Sequence, residues 1–179
     1  MTDVTRWFFA IHAVAVGALP DGTPVIVSGG SADGTVRIWR LADCAPVGEP
    51  LTGHASTVEA VAVGALPDGT QVIVSGSDDG TVRVWRLADG TPVGEPLTGH
   101  DGAVVTVAIG TLADGTPVVV SGGHSGAVRV WRLPDGTPVV PPLGLSQSVG
   151  DVTFHSNVIV TAAGADIAVH QPALPRPIR

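Results

Sequence analysis

The chain has no lysine, no tyrosine and a single cysteine, and only 14% of its 179 residues are charged. Each shortage narrows the function. Nine arginines face 16 acidic residues, for a net charge of −7. They are scattered, with no basic stripe, whereas phosphate binding needs clustered positive charge. No nucleic acid is expected as a partner, and no membrane either, since an anionic lipid surface makes the same demand. Cys44 alone cannot close an intrachain disulfide, which suits a reducing compartment and gives cytoplasmic as the expected location. No apolar run reaches the ~18–20 residues of a membrane-spanning helix. The apolar stretch from Trp7 to Leu19 has the character of a signal-peptide core, but Asp3 and Arg6 leave its leader without net positive charge. Residues 13–29 also recur almost unchanged as 60–76, which marks a structural unit rather than a disposable leader.

What is abundant is turn chemistry: 24 glycines and 15 prolines, spread at regular intervals through a chain that is 44% apolar. No stretch shows a 3.6-residue apolar period. Short Val-rich runs alternate with Asp-Gly pairs instead, which signals strands and hairpins. Glycine takes positive φ freely, and aspartate hydrogen-bonds its own backbone, so Asp-Gly suits a tight turn.

The pattern repeats. Trp39, Trp85 and Trp131 follow one another at a step of 46 residues, and Gly53-His54 and Gly99-His100 keep the same step. A period in the 40s marks an array of supersecondary units. The first unit predicts strands at Ile11–Val16, Val25–Ser28 and Thr35–Trp39, then a weak edge strand ending near Leu51. The second predicts Val58–Val63, Val72–Ser75, Thr81–Trp85 and Pro92–Leu97. The third predicts Val104–Ile109, Val118–Ser121, Val128–Trp131 and Pro138–Leu143. A worn fourth follows as Val149–Phe154, Val158–Thr161 and Ile167–His170, then the segment from Pro172 on. Proline in the last strand of each unit restricts it to a sheet edge.

These residues resemble the WD-repeat β-propeller family, in its bacterial type. The resemblance is carried by Thr52-Gly53-His54, Val58-x-x-Val61, Pro67-Asp68-Gly69 and the run from Val74 to Trp85, and it extends over nearly the whole chain. It implies an all-β fold, a β-propeller of four-stranded antiparallel blades. About four blades are expected in this chain, a partial or half propeller, with units near 8–52, 53–98, 99–144 and 145–179. It also implies a structural lock in each blade: His54, Ser75, Asp79 and Trp85 in the second; His100, Ser121 and Trp131 in the third, with Ser125 where aspartate is expected; and Ser28, Asp33 and Trp39 in the first, with Trp7 at the histidine position. In the fourth, Ser146, Thr161 and His170 align with histidine, serine and tryptophan. A buried indole N–H and imidazole need partners, and a buried carboxylate needs donors, so such a set satisfies itself.

Propellers have about 4–8 blades. An open arc of four would leave Val-rich end faces bare, and bare apolar faces seek cover. The expectation is a half-propeller completed by a second copy, as a homodimer, or by another propeller fragment.

His54, Ser75 and Asp79 contain the letters of a Ser-His-Asp triad. A set that recurs with each tryptophan reads as structure, so no catalytic residue is expected. Ser77-Asp78-Asp79-Gly80 lacks the alternating ligands and distal Glu of a calcium loop. The six histidines form no zinc-ligand spacing. Gly29-Gly30 and Gly122-Gly123 join strand to strand, whereas a phosphate cradle joins strand to helix. No metal or cofactor is expected. The resemblance points instead to protein or peptide partners, held on a rim near Glu59, Asp78, Asp101 and His124, with Asp33 close by. It further suggests a docking platform, such as the sensor part of a bacterial signalling ATPase or kinase. The alternatives are an enzyme on a propeller scaffold and a decayed fragment.

Overall fold

Asp-Gly turns cut the chain into short strands, and in the computed structural model, which describes residues 10–30, 33–155 and 157–171, every regular element is a β-strand. Blade 1 consists of β1 (Ile11–Ala18), β2 (Pro24–Gly30) and β3 (Val36–Arg40). Blade 2 has β4 (Val58–Ala65), β5 (Gln71–Ser77) and β6 (Val82–Arg86). Blade 3 has β7 (Val104–Thr111), β8 (Pro117–Gly123), β9 (Ala127–Arg132) and the two-residue β10 (Leu143–Gly144). Blade 4 has β11 (Val149–His155), β12 (Val158–Ala163) and β13 (Asp166–His170). Each blade is one antiparallel sheet with its strands in chain order.

The turns work as their residues dictate. Asp21, Asp68 and Asp114 each accept the backbone N–H two residues on, at 2.9 Å, and so set the first hairpin of blades 1 to 3. Every first strand carries a bulge near its start, at Ile11/Ala13, Val58/Ala60, Val104/Thr106 and Val149/Asp151. The bulges swing the strand entrance without disturbing the pairing beyond it.

The fourth strand is weaker than the four-stranded expectation. In blade 1 it reduces to two isolated bridges, Val36 with Leu51 and Trp39 with Pro46. Blade 2 repeats them as Val82 with Leu97 and Trp85 with Pro92. Only blade 3 adds a short paired strand, β10. The reason is the prolines of this segment, at 46, 50, 92, 96, 138, 141 and 142, which donate no N–H to a ladder. In blade 4 the equivalent segment, from Pro172 on, lies outside the described residues.

Apolar cores lie between blades, not within them. Val25, Val27, Val36, Ile38 and Leu51 of blade 1 pack on Val58, Ile73, Trp85 and Leu87 of blade 2. Val72, Val74, Val82, Val84 and Leu97 of blade 2 pack in the same way on Val104, Val107, Val119, Trp131 and Leu133 of blade 3. Blade 3 meets Val149, Val152 and Ile159 of blade 4 through Val118, Val120, Val128 and Val130. The first strands β1, β4, β7 and β11 pack in succession, and no comparable packing joins β11 back to β1 among the described residues. The blades therefore form an open arc.

Candidate functional site

In blade 2 the hairpin of β5 and β6 places Ser75 and Trp85 on one face, and the loop entering β4 brings His54 over them. The Trp85 indole N–H donates to Ser75 Oγ at 3.0 Å, and Ser75 Oγ lies 2.8 Å from His54 Nε2. On the other side of the ring, His54 Nδ1 is 3.0 Å from Asp79 Oδ2. A carboxylate only accepts, so Nδ1 carries the proton; Nε2 of the neutral ring then accepts from the Ser75 hydroxyl. The proton order is thus fixed from indole to carboxylate.

Asp79 is held from several sides. It accepts the Ala55 and Thr81 backbone N–H groups, each at 2.9 Å, and the Thr81 hydroxyl at 2.7 Å. Burial alone would raise its carboxyl, but the Thr81 hydroxyl, the two amides and His54 bring it down to about 2. His54 is lowered below the ordinary imidazole value, because burial outweighs the pull of Asp79. Thr81 and the Ala55 amide were not singled out by the sequence analysis, although Thr81 stands two residues after Asp79, as Thr35 stands after Asp33.

Blade 3 keeps half of this set. Trp131 Nε1–H donates to Ser121 Oγ at 2.8 Å, and His100 Nε2 is 2.7 Å from the same oxygen. Ser125 and Ala127 replace Asp79 and Thr81 in register, and the buried His100 Nδ1 has no hydrogen-bond partner. Burial, with Arg129 adding to it, brings this histidine down to about 4.

In blade 1, Trp39 Nε1–H donates to Ser28 Oγ at 2.8 Å, and Asp33 turns to Thr35 and to Arg37, whose guanidinium lies at 2.9 Å. Trp7 lies outside the described residues. In blade 4, Thr161 Oγ1 stands 3.5 Å from His170 Nε2, a loose contact in place of the serine–indole bond.

Arginines missed by sequence reasoning complete the two inner sets. Arg83 lies 6.0 Å from the centre of the Trp85 ring and Arg129 5.7 Å from that of Trp131, both within cation–π range. Their signal was the 46-residue step they share with Arg37.

Ser75 has no exposed surface, and its oxygen is engaged by the Trp85 indole and His54. No external carbonyl can reach it, so this Ser-His-Asp geometry is not an acylation site. Among the described residues, no three His, Cys, Asp or Glu side chains gather as a metal site.

The rim residues divide. Asp78, Asp101 and His124 are exposed. Asp78 donates its backbone N–H to Thr57 O at 3.0 Å, and His124 donates its own to Ala103 O at 2.9 Å. The turn carrying Asp78 nestles on the loop carrying Asp101: a Cβ on Gly80 would lie 3.4 Å from both the His100 and the Gly102 carbonyl oxygens. Gly80 sits at φ 79°, a conformation that calls for glycine there. The Asp101 loop is thereby fixed between turns of blades 2 and 3, with Asp78 and His124 on either side. Glu59 stands apart. It lies on β4, only 24% exposed, and its carboxylate is 3.0 Å from His12 Nδ1 of blade 1.

Four solved structures serve to place this geometry. The computationally designed Ika4 protein superposes with a TM-score of 0.75 at 27% identity, over 94% of this chain and 95% of that one. A chain of the Chaetomium thermophilum Polycomb Repressive Complex 2 bound to GSK126 gives 0.75 at 23% identity, over 92% of this chain and 40% of that one. U3-55K gives 0.75 at 21% identity, over 94% and 50%, and the WD40 repeats of RRP9 give 0.74 at 22%, over 93% and 49%. The chain thus spans half or less of these natural structures and nearly all of the designed one. Among the curated proteins, none matches. The sequence pattern of the WD domain, G-beta repeat, matches residues 7–40, 45–86 and 90–132. Those three matches are the stretches in which indole, serine and turn recur, and this chain belongs to the WD40 repeat family.

Proposed function

We propose that the chain is a non-catalytic docking platform that holds protein or peptide partners on the rim formed by Asp78, Asp101 and His124. One observation carries the reading. These three exposed, ionisable side chains lie on and beside a single loop that backbone contacts from two blades hold in place, while Ser75, His54 and Asp79 in blade 2 are engaged with one another and with Trp85 and Thr81. Loops on a rigid scaffold are the usual place for recognition. The fold-level likeness to chains of multiprotein assemblies, such as Polycomb Repressive Complex 2, supports a scaffold by analogy. In this reading His54, Ser75, Asp79 and Trp85 act structurally, pinning the loop to the sheet, as do His100, Ser121 and Trp131 and, in blade 1, Ser28, Asp33 and Trp39. The arc is half of a ring, completed by a second copy or by another propeller segment. A cytoplasmic signalling ATPase or kinase of bacterial type is the setting that its regular, lysine-free repeats favour.

The test is affinity capture from an extract of the source cells with wild type, Asp78→Arg and Asp101→Arg. Partners are expected on the wild type and lost from both variants, with circular dichroism unchanged. Equal capture by all three would contradict the rim assignment.

A further inference from the structure

Three internal joints show what covers each face of a blade, and the two end faces can be compared with them position by position. In every joint, two residues of the later blade fill hollows left by two glycines of the earlier one. A Cβ on Gly29 would lie 2.6 Å from Val58 Cγ1, and one on Gly17 2.7 Å from Val63 Cγ1. At the second joint Gly76 faces Val104 at 2.7 Å and Gly64 faces Ile109 at 2.9 Å. At the third, Gly122 faces Val149 at 2.6 Å, and Gly110 faces the Phe154 ring, which a Cβ would overlap.

The strand registers locate the same positions at the ends of the arc. On blade 1 the filling residues are Ile11 and Val16, which are 58% and 67% exposed, next to Leu41 at 46%. Their counterparts Val58 and Leu87 in blade 2 are 0% and 1% exposed. Among the described residues, this face has the chemistry of the three covered ones and no blade packed over Ile11, Val16 and Leu41. On blade 4 the two hollows are gone. Ala162 pairs with Asp151 as Gly122 pairs with Thr106, and His155 pairs with Val158 as Gly110 pairs with Val118. Asp151 and Thr153 also stand exposed where blade 2 has Ala60 and Ala62.

We infer that the open face of blade 1 receives a repeat blade of a different sequence, one with glycine at both hollow positions, and that blade 4 of a second copy does not fit it. Val16 would have to occupy the place taken by the His155 side chain, and Ile11, larger than any residue used at that point in the internal joints, would press on the Ala162 methyl. Overpacking of this kind opens a joint. The inference rests on reading the arc as an incomplete ring, and it narrows the partner to a non-identical propeller segment.

The test is molar mass by sedimentation at micromolar concentration, on the full chain. Wild type, His155→Gly/Ala162→Gly, and that double variant with Val16→Arg are compared; Leu41→Arg is a second block of the same face. Wild type is expected at the one-chain mass of 18.0 kDa. The double variant, its hollows restored, is expected at twice that mass, and Val16→Arg or Leu41→Arg is expected to return it to one chain. A wild-type dimer that Val16→Arg dissolves would overturn the inference and leave the half-ring standing. A double variant that is folded by circular dichroism and shows no association sensitive to Val16→Arg would overturn both.

Discussion

Val104 projects into the space that Gly76 leaves free: a Cβ on Gly76 would lie 2.7 Å from Val104 Cγ1. The joint between blades 2 and 3 depends on this pair. Gly76→Val should therefore destabilise the fold by about 1–3 kcal/mol through overpacking. Gly144→Ala, with nothing within 4 Å of the added carbon, should leave the melting temperature within error. Thermal melts of the two variants check the contrast.

Trp85 is 2% exposed and hydrogen-bonded through its indole, whereas Trp39 is half-buried on the open face of blade 1. Trp85→Ala should cost about 3–5 kcal/mol, the usual penalty for a large buried aromatic. Trp39→Ala should cost clearly less. Urea unfolding gives both values, and equal penalties would count against the open face.

His100 Nδ1 is buried without a partner, and Ser125 occupies the place of the missing carboxylate. Ser125→Asp should stabilise blade 3 by about 1 kcal/mol, the net worth of a typical added hydrogen bond. A lower urea midpoint in the variant would show that the loop cannot bring the carboxylate to the ring.

Acid should act on the same residue. His100 is brought down to about 4 in the folded chain, from an ordinary 6.5. Between those values the unfolded chain binds the proton and the folded one does not, so stability falls as pH drops from about 6.5 towards 4. Asp79 is displaced in the same direction, held at about 2 against an ordinary 3.8. Its contribution is complete above about 4 and is lost as pH falls towards 2. Two successive losses are therefore expected in a series of urea midpoints from pH 7 to pH 2.5. The first should shrink in His100→Gln and the second in Asp79→Asn.

Much of the architecture is legible in the sequence, because a 46-residue step, Asp-Gly turns and alternating valines are local signals. The open-ended arc was legible too, from the length of the chain against its period. Other features depend on how one blade sits against the next. The sequence places Glu59 near the rim but does not show its neighbour: the offset between β1 and β4 puts His12 beside it. Gly29 and Gly122 read in one dimension as residues that join strand to strand, and only the packed faces show them, with Gly17, Gly64, Gly76 and Gly110, as hollows. The proline-bearing fourth strands thinned to isolated bridges, at Pro46, Pro92 and Pro138 held by the N–H groups of neighbouring residues such as Val47 and Val93.

Hydrogen exchange of the tryptophan indole N–H protons, followed by NMR, tests the account most directly, since it reads the blade interior and the open end together. Slow exchange is expected at Trp85 and Trp131, where the indole is buried and bound to serine, and faster exchange at Trp39, which is only half-buried and has no further blade packed against its side of blade 1 among the described residues. Fast exchange at all three would contradict the packed blades, and protection of Trp39 equal to that of the other two would contradict the open face.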